Sequence, residues 1–378
     1  MSDRPIALSV VHLLAPAPFG GLESVVETLA AGQRDAGVAV HVAAVLSNAG
    51  RDHPFVAALE ARGLPVTILQ VGGRQYLEER NAVASLLSRT GATVLHTHGY
   101  RPDVIDAPVA RRMRVATVTT VHGFTGGGGV KGRLYEWLQK RAFRSFDAVI
   151  AVSGKLRGEL VAAGVREDRV HAVRNAWSPA GEYAERSEAR RALGIPEDAK
   201  VVGWVGRMSQ EKAPDVVVRA FAAAGPGLRL SLIGSGPLEE ECRALTASLG
   251  VADRVTWHGA VPRAGPLLKA FDMIALTSWT EGTPMVLLEA MGAGVPIVTT
   301  AVGGIPESVG PSEAQLVQAG DVAGLAAALD AVLRDAPAAA ARAASAQRRA
   351  ETELAVGSWV ERHREVYAEA MAGRLRAR

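Results

Sequence analysis

Two glutamates, one on each side of a proline, give this sequence its clearest chemical pattern. Residues 280–289 read TEGTPMVLLE, so Glu281 precedes Pro284 and Glu289 follows it. Proline is favoured in the first turn of a helix, which predicts a helix that carries Glu289 about one and a half turns in and leaves Glu281 in the loop. Carboxylates bind vicinal hydroxyls well, and the free N–H groups of a first helical turn bind phosphate or sugar oxygens. The segment therefore predicts a site for ribose and hexose hydroxyls.

Two cations follow a predicted strand in the same half of the chain. Arg207 comes directly after Val205-Gly206, and Lys212 lies five residues further on. Cations fixed at the end of a strand can hold a diphosphate and stabilise the charge that develops on a leaving group. The alternative is that both side chains are simply solvated surface charges.

A glycine pair, Gly20-Gly21, ends the loop after the first predicted strand and precedes a helix. Glycine lets the backbone approach a ligand closely, and a helix N-terminus favours phosphate. An ordinary tight turn between strand and helix explains the pair equally well.

Short apolar runs rich in Val and Ile alternate with helical patterns along the chain. Runs that are apolar throughout are typical of strands in a parallel sheet that is covered on both faces. The strands predicted in the first half are Ile6–Leu14, Val38–Leu46, Val66–Leu69, Thr93–Thr97, Val115–Val121 and Ala148–Val152. The helices predicted between them are Leu22–Ala36, Pro54–Arg62, Leu77–Arg89, Pro102–Arg112, Gly132–Arg144 and Lys155–Ala163.

The pattern pauses at Asn175–Arg190 and then restarts. The second set of predicted strands is Val201–Val205, Arg229–Ile233, Arg254–His258, Met273–Thr277, Pro296–Thr300 and Ala314–Gln318. We therefore predict an α/β protein with two doubly wound Rossmann-like domains, residues 1–175 and 176–354, the first completed by a C-terminal helix over 355–378. Such sheets bind ligands at the carboxyl ends of their strands, so we expect the two domains to face each other across a cleft.

Composition excludes several classes of protein. The 378 residues are 48% hydrophobic and 21% charged, with a net charge of +3 and one cysteine, Cys242. That is a globular composition without disulfides or a Cys-x-x-Cys pair, and the charge alone does not suggest nucleic-acid binding. Neither a secretion signal nor a membrane span is evident, which predicts a cytoplasmic protein.

Other motifs are weaker. Gly234-Ser-Gly236 lacks the third glycine of a dinucleotide fingerprint, and no P-loop occurs. His96 and His98 share one face of a strand end. The pattern favours the wall of a pocket for an acceptor substrate, and a metal pair is the alternative. Gly126–Gly129 is either a flexible connector or a loop that orders over the acceptor.

Taken together, these segments resemble the retaining GT-B glycosyltransferases, and nearly the whole chain resembles glycosyltransferase family 4. Glu281 to Glu289 looks like that family's Glu-x7-Glu motif, and Phe19-Gly20-Gly21-Leu22-Glu23 is similar to its glycine loop. His122-Gly123 resembles its active-site histidine, and Val205-Gly206-Arg207 with Lys212 resembles its diphosphate clamp. Gly234–Pro237 and Val302–Glu307 also have counterparts in the family.

The resemblance implies a role for each matched residue. The diphosphate would be held by Arg207 and Lys212, helped by the backbone of Gly20-Gly21 and of Val286 and Leu287. Glu289 would bind the ribose, and Glu281, with Gly282 and Thr283 in the same loop, would contact the transferred sugar. The base would lie near Gly259–Val261, His122 beside the anomeric carbon, and His98 on the acceptor side. No metal and no cofactor are implied.

The loop Glu281-Gly-Thr-Pro departs from the common form, which has an aromatic residue and a glycine, so the sugar hydroxyls it selects are left open. The resemblance implies transfer of a hexose from a nucleoside-diphosphate sugar, with a UDP-sugar favoured, to a hydroxyl acceptor that is lipid-linked, a polysaccharide or a small molecule. A nucleotide-sugar 2-epimerase of the same fold and a non-catalytic nucleotide-sugar-binding protein are the alternatives. The basic segment 131–144 is either a helix that covers the sheet or a peripheral contact with the inner face of a membrane.

Overall fold

The computed structural model describes residues 7–17, 20–47, 52–73, 75–124, 130–178 and 182–376. The chain forms two compact units, the first made of Met1–Asn175 with Val356–Arg378 and the second of Ala176–Ala355. Phe19 and the glycine run Gly126–Gly129 lie outside the described residues.

Unit 1 is built on a seven-stranded parallel sheet with the strand order β3-β2-β1-β4-β5-β6-β7. Its strands are β1 Ser9–Leu14, β2 Ala39–Leu46, β3 Val66–Gln70, β4 Val94–His98, β5 Ala116–Val121, β6 Ala148–Ala151 and β7 Val170–Ala172. Its helices are α1 Gly21–Asp35, α2 Pro54–Ala61, α3 Tyr76–Thr90, α4 Ala107–Arg112, α5 Val130–Phe143, α6 Gly154–Ala162 and, from the C-terminus, α14 Val356–Arg376. The strand order reverses between β1 and β4, where a doubly wound sheet binds its ligands.

Unit 2 is built on a six-stranded parallel sheet with the order β10-β9-β8-β11-β12-β13. Its strands are β8 Lys200–Val205, β9 Leu228–Ile233, β10 Val255–Trp257, β11 Met273–Leu276, β12 Ile297–Thr300 and β13 Gln315–Val317. Its helices are α7 Arg186–Ala192, α8 Pro214–Ala223, α9 Glu239–Ser248, α10 Met285–Ala293, α11 Ile305–Ser308, α12 Val322–Arg334 and α13 Ala336–Glu353. Here the order reverses between β8 and β11, so the loops that follow these two strands lie side by side.

The predicted fold class is confirmed, since both sheets are parallel and covered by helices. Inner strands such as β6 and β11 are buried along their whole length, as their continuous apolar patterns predict. The first strand begins at Ser9 rather than Ile6, and the three-residue β7 was missed because so short a run has no periodic signal.

One predicted helix has a different form. Pro102–Arg112 is a π-helical turn over Pro102–Asp106 followed by α4, and the N–H of Ala107 donates to the carbonyl of Pro102. Asp103 within that turn is buried and accepts hydrogen bonds from the hydroxyls of Thr97 and Thr119. The wider turn therefore directs a carboxylate into the sheet.

The last helix, α14, packs on α1 in unit 1. A Cβ placed on Gly32 of α1 would lie 2.6 Å from Val356 and 2.9 Å from Val360, so only a glycine lets the two helices approach this closely. Within the described part of the chain, every helix is too short or too polar to cross a lipid bilayer.

Candidate active site

Glycine-rich loops follow β8, β9 and β10 and are bonded to one another. The N–H of Gly206 donates to Ile233 at 3.0 Å, and the N–H of Gly234 donates to the carbonyl of Gly259 at 2.7 Å. Gly234 has a φ of 130°, and a Cβ there would lie 1.8 Å from the carbonyl oxygen of Gly206. The close contact explains why a glycine is needed at position 234. Gly234 thus lies between the loop that carries Arg207 and Gly259, and contacts both.

The predicted clamp residue Lys212 and the loop glutamate Glu281 form an ion pair. The ammonium of Lys212 lies 2.6 Å from Oε1 of Glu281, and the hydroxyl of Ser278 donates to the same oxygen at 2.6 Å. The side chain of Glu281 is 8% exposed and that of Lys212 is 29% exposed. Among the described residues, both partners of Glu281 contact Oε1, so Oε2 is the carboxylate oxygen that can accept from a ligand.

The backbone beside Lys212 is strained and is held by a buried threonine. Ala213 has a φ of 46°, a left-handed conformation that costs a residue with a Cβ about 1–3 kcal/mol. The hydroxyl of Thr277, which follows β11, lies 3.1 Å from the carbonyl of Lys212 and 2.9 Å from that of Ala213. The indole N–H of Trp204 donates to the same hydroxyl at 3.2 Å. These contacts fix the point from which the Lys212 side chain extends.

Arg207 has a different partner. Its side chain is 63% exposed, and its guanidinium donates to Glu211 at 2.7 Å. The carbonyl of Glu211 accepts the N–H of Trp279, whose indole is 51% exposed. Among the described contacts, Arg207 is thus paired with Glu211, while Lys212 is paired with Glu281.

Helix α10 begins after Pro284, as the sequence predicts, and carries Glu289. The N–H of Leu287 already donates to the carbonyl of Pro284 at 3.1 Å, so the first-turn amides nearest to a ligand are those of Met285 and Val286. Gly282 and Thr283 are buried in the loop that precedes the helix. Gly303 packs closely against this loop. Its φ is 57°, and a Cβ there would lie 1.7 Å from the carbonyl oxygen of Glu281, so only a glycine fits.

Glu289 lies on the same helix and is partly buried. Burial raises the pKa of its carboxyl to about 7. A Cβ on Gly265 would lie 3.0 Å from its carboxyl carbon, so that glycine makes room for the group. The main-chain carbonyl of Glu289 accepts the hydroxyl of Tyr183 at 2.9 Å, and the hydroxyl of Tyr183 in turn accepts the indole N–H of Trp177 at 3.1 Å. Val261 packs against the apolar core next to this helix.

The glycine loop of unit 1 is closed by a glutamate. The N–H of Ala17 donates to Glu23 at 2.7 Å, and a Cβ on Gly20 would lie 2.3 Å from the other oxygen of the same carboxylate. Burial raises the pKa of Glu23. Helix α1 begins at Gly21 directly after the loop, with no side chain capping its N-terminus.

His98 and His122 belong to a buried histidine cluster in unit 1. Nδ1 of His98 lies 3.4 Å from Nε2 of His122, and Nε2 of His98 lies 3.0 Å from Nδ1 of His12. Burial lowers the pKa of His122 to about 4 and holds that of His98 well below its usual range, so both rings are neutral. His98 is 1% exposed, whereas His122 is partly exposed and forms the outer end of the cluster.

The residues that support the predicted site residues were not predicted from the sequence. Ser278 and Thr277 directly follow β11, and their position at a strand end was the available signal. Glu211 lies beside a predicted phosphate loop, where cations and glycines are the expected signal. Glu23 belongs to the predicted glycine-loop motif, but nothing in the sequence indicated that its carboxylate closes the loop.

Taken by itself, unit 2 can bind an anionic ligand that carries hydroxyls. It brings together two cations, a helix N-terminus and two carboxylates around the ends of adjacent strands. Fixed cations of this kind can stabilise a departing diphosphate.

Two family models match the chain, one in each half. The model of Glycosyltransferase Family 4 matches residues 19–179, and that of Glycosyl transferases group 1 matches residues 185–349.

Curated relatives match a smaller part. The D-inositol 3-phosphate glycosyltransferase of Stackebrandtia nassauensis is 40% identical over 179 residues, which are 43% of this chain and 40% of that protein. The protein of the same name from Mycobacterium marinum is 38% identical over 183 residues, which are 46% of this chain and 39% of that protein. The chain thus spans well under half the length of these relatives.

Solved structures match nearly the whole chain. Anabaena Alr3699/HepE in complex with UDP-glucose has a TM-score of 0.84 at 22% identity and covers 95% of this chain and 99% of its own. Sucrose-phosphate synthase from Thermosynechococcus elongatus has a TM-score of 0.78 at 20% identity, and the match covers 96% of this chain and 99% of that one. At these identities the structures show a shared fold of two Rossmann-like domains. With the two family models, that fold assigns this chain to the GT-B glycosyltransferases of the family 4 type.

Proposed function

We propose that the protein is a retaining glycosyltransferase that moves a hexose from a UDP-sugar to a hydroxyl acceptor. The observation that carries the proposal is the Lys212–Glu281 ion pair beside the N-terminus of α10, the helix that also bears Glu289. This helix N-terminus therefore has a carboxylate for the transferred sugar, a cation for the diphosphate and a second carboxylate for the ribose, one group for each of these parts of a nucleotide sugar.

In this mechanism the donor's diphosphate lies against Lys212 and Arg207 and against the first-turn amides of α10. The acceptor hydroxyl attacks the anomeric carbon on the face from which the diphosphate leaves. The bond from that carbon to the phosphate oxygen breaks, and the departing oxygen takes the acceptor's proton. The cations stabilise the negative charge as it develops, so the reaction needs no divalent metal and no cofactor.

Glu281 contacts the transferred sugar through Oε2, since Oε1 is occupied by Lys212 and Ser278. Glu289 binds the ribose hydroxyls, and the main chain of Gly259–Val261 lies along the base. His98 and His122 belong to unit 1, to which we assign the acceptor, and the glycine loop Gly20-Gly21 of the same unit keeps its predicted role toward the diphosphate. The preference for UDP is supported by the similarity to Alr3699/HepE, which was solved with UDP-glucose.

The test is transfer by the purified full chain with UDP-, GDP- and ADP-sugars. The acceptor panel includes inositol 3-phosphate, the compound in the names of the curated relatives. We expect Lys212→Ala to lose transfer by about 10²–10³-fold, the usual cost of removing one group that stabilises transition-state charge. The matched control is Lys200→Ala, because Lys200 is 60% exposed and pairs with Asp272 at the start of a strand.

Four results would contradict the proposal or its mechanism. Transfer by Lys212→Ala at the wild-type rate would exclude the clamp, and conversion of the donor to an isomer without any acceptor would indicate a 2-epimerase. Donor binding without turnover across the panel would indicate a binding protein. Loss of transfer after treatment with EDTA, restored by a divalent cation, would contradict the metal-free mechanism.

We also propose that α5 in unit 1 contacts an anionic membrane from the cytoplasmic side. Leu134 and Trp137 are 50% and 57% exposed, and the exposed side chains of Arg133 and Arg141 flank them on the same helix face. Exposed apolar and basic groups on one face are typical of interfacial helices. The double variant Leu134→Ser/Trp137→Ser should sediment less with phosphatidylglycerol vesicles, whereas Leu249→Ser, an exposed leucine of unit 2, should not. Equal binding to phosphatidylcholine vesicles would contradict an electrostatic contact.

A further inference from the structure

A continuous row of hydrogen bonds crosses the interior of unit 1 and ends at His122. Nε2 of His12 lies 2.8 Å from Oε1 of Gln33, and Nδ1 of His12 lies 3.0 Å from Nε2 of His98. Nδ1 of His98 then lies 3.4 Å from Nε2 of His122. Gln33 is anchored in turn by Tyr367 of α14, whose hydroxyl accepts its amide N–H at 2.9 Å. The row therefore joins α14, α1, β1 and β4 to the loop after β5.

The row has a direction, because each neutral imidazole donates through one nitrogen and accepts through the other. The amide of Gln33 presents its oxygen to His12 and its nitrogen to Tyr367. Nε2 of His12 must therefore carry the proton, which leaves Nδ1 as the acceptor. The same logic places the proton of His98 on Nε2, and His98 then accepts at Nδ1 from Nε2–H of His122. Nδ1 of His122 is left with its lone pair.

We propose that Gln33, His12, His98 and Tyr367 are positioning residues that hold His122 as its neutral Nε2–H tautomer, so that Nδ1 of His122 accepts a hydrogen bond from a hydroxyl of a bound sugar or acceptor. The ligand class rests on the proposed function, whereas the tautomer follows from the row itself. Of the three histidines in the row, His122 alone is partly exposed, while His12 and His98 are 0% and 1% exposed. Its outer nitrogen is thus the one that a ligand can reach.

Two neighbouring histidines, His96 and His363, have tautomers that can also be derived from their hydrogen bonds. The hydroxyl of Tyr367 lies 2.7 Å from Nδ1 of His96, and Nε2 of His96 lies 2.7 Å from the hydroxyl of Thr120. Since Tyr367 accepts from Gln33, it donates to His96, which must also be an Nε2–H tautomer. His363 is the opposite case, because its Nδ1 lies 2.8 Å from the carbonyl of Trp359 and can only donate there.

A metal ion is the competing explanation for part of this cluster. His12, His96 and His98 each offer a ring nitrogen within 4.8 Å of the others. Yet both nitrogens of every one of these rings already have a hydrogen-bond partner. The rings of His96 and His98 also lie side by side, with centroids 4.3 Å apart. This arrangement favours hydrogen bonding among neutral rings over convergence on one ion.

The direct test is nitrogen NMR of the full chain with ¹⁵N-labelled histidine, which distinguishes protonated from unprotonated ring nitrogens. We expect His12, His96, His98 and His122 as Nε2–H tautomers and His363 as the Nδ1–H tautomer in the same spectrum. Nδ1–H tautomers at His12, His98 and His122 would overturn the proposal. One equivalent of tightly held zinc in the purified protein would overturn it as well.

Variants test whether the row controls His122 at a distance. Gln33→Met removes the acceptor of His12, and Tyr367→Phe removes the anchor of Gln33, so in each the His122 tautomer should become mixed. Thr120→Val is the matched control, because it alters the partner of His96 but leaves the row to His122 intact. A His122 tautomer that stays unchanged in both test variants would overturn the positioning role. Well-dispersed resonances in the rest of each spectrum show that the variant is folded.

Addition of UDP-glucose, alone and with an acceptor that supports transfer, separates this inference from the proposed function. A ligand hydroxyl on Nδ1 should shift that nitrogen resonance of His122 while the tautomer stays Nε2–H. Gln33→Met should then bind the ligand about twofold more weakly, because in an even mixture about half of His122 keeps the Nε2–H tautomer that can accept at Nδ1. If UDP-glucose binds but no ligand shifts the His122 resonance, the assigned ligand contact is wrong, whereas absence of any UDP-glucose binding contradicts the proposed function instead.

Discussion

The pH dependence of donor binding should reveal the role of Glu289. Burial raises the pKa of this carboxyl to about 7, whereas the ribose hydroxyls that it is proposed to bind need an ionised carboxylate as acceptor. A bound donor therefore lowers the pKa of Glu289 and releases a proton. We expect donor affinity to rise as the pH rises through 7.

The size of the effect follows from the fraction of Glu289 that is ionised. With a pKa of about 7, about a tenth of the carboxyl is ionised at pH 6 and about nine tenths at pH 8. If the ionised form alone binds, the association constant increases about tenfold between these two pH values. At pH 7 about half a proton should leave for each donor molecule bound.

Isothermal titration calorimetry with UDP-glucose measures both quantities. UDP-glucose has no group of its own that titrates between pH 6 and pH 8, and repeating the titration in buffers of different ionisation enthalpy counts the released protons. Glu289→Gln keeps the shape of the side chain and removes its charge, so its affinity should be nearly flat over the same range. A wild-type affinity that does not change with pH, or a slope that Glu289→Gln leaves intact, would refute the reasoning.

Three further variants test unit 2 by urea unfolding, with transfer measured for the third. Arg190 is fully buried and donates to four carbonyl groups and a carboxylate, so Arg190→Met should cost about 3–5 kcal/mol, whereas exposed Arg191→Ala should cost little. A Cβ on Gly292 would lie 2.2 Å from the indole of Trp177, so Gly292→Ala should cost about 1–3 kcal/mol through overpacking, and an unchanged midpoint would contradict that contact. Thr277→Val should lose about 1–3 kcal/mol and slow transfer, and Thr277→Ser should restore both.

The scaffold could be predicted from the sequence because its signals are local. A continuous apolar run indicates a buried parallel strand, and a proline at the end of a loop, such as Pro284, indicates the start of a helix. Both signals lie in residues that are adjacent in the sequence. The π-helical turn over Pro102–Asp106 has no such local signal, because its residues also suit an ordinary helix. Its form depends on contacts of Asp103 with two neighbouring strands.

The candidate site could be predicted only as a set of residues. The pattern named Lys212 and Glu281, but the contact between them joins loops 69 residues apart. The bond from Gln33 to Tyr367 spans 334 residues, and no periodicity links an amide in the first helix to a phenol in the last. The resemblance implied that the backbone of Val286 and Leu287 helps to hold the diphosphate, but in the structure the N–H of Leu287 donates to the carbonyl of Pro284.

The two residues that follow β11 explain how unit 2 can bind a diphosphate without rearranging the side chains of its site. Thr277 binds the backbone of Lys212, while its neighbour Ser278 binds the carboxylate of Glu281, so two consecutive residues hold the two members of one ion pair. An ammonium has three donors, and the bond to Glu281 uses one, which leaves two for phosphate oxygens. Glu281 likewise keeps Oε2 for a hydroxyl. Because both groups are oriented before a ligand arrives, little reorganisation opposes the charge that develops as the diphosphate leaves. Thr277 thus affects the reaction by fixing the position of Lys212. For this reason, removal of its hydroxyl should lower the rate of transfer as well as the stability of the protein.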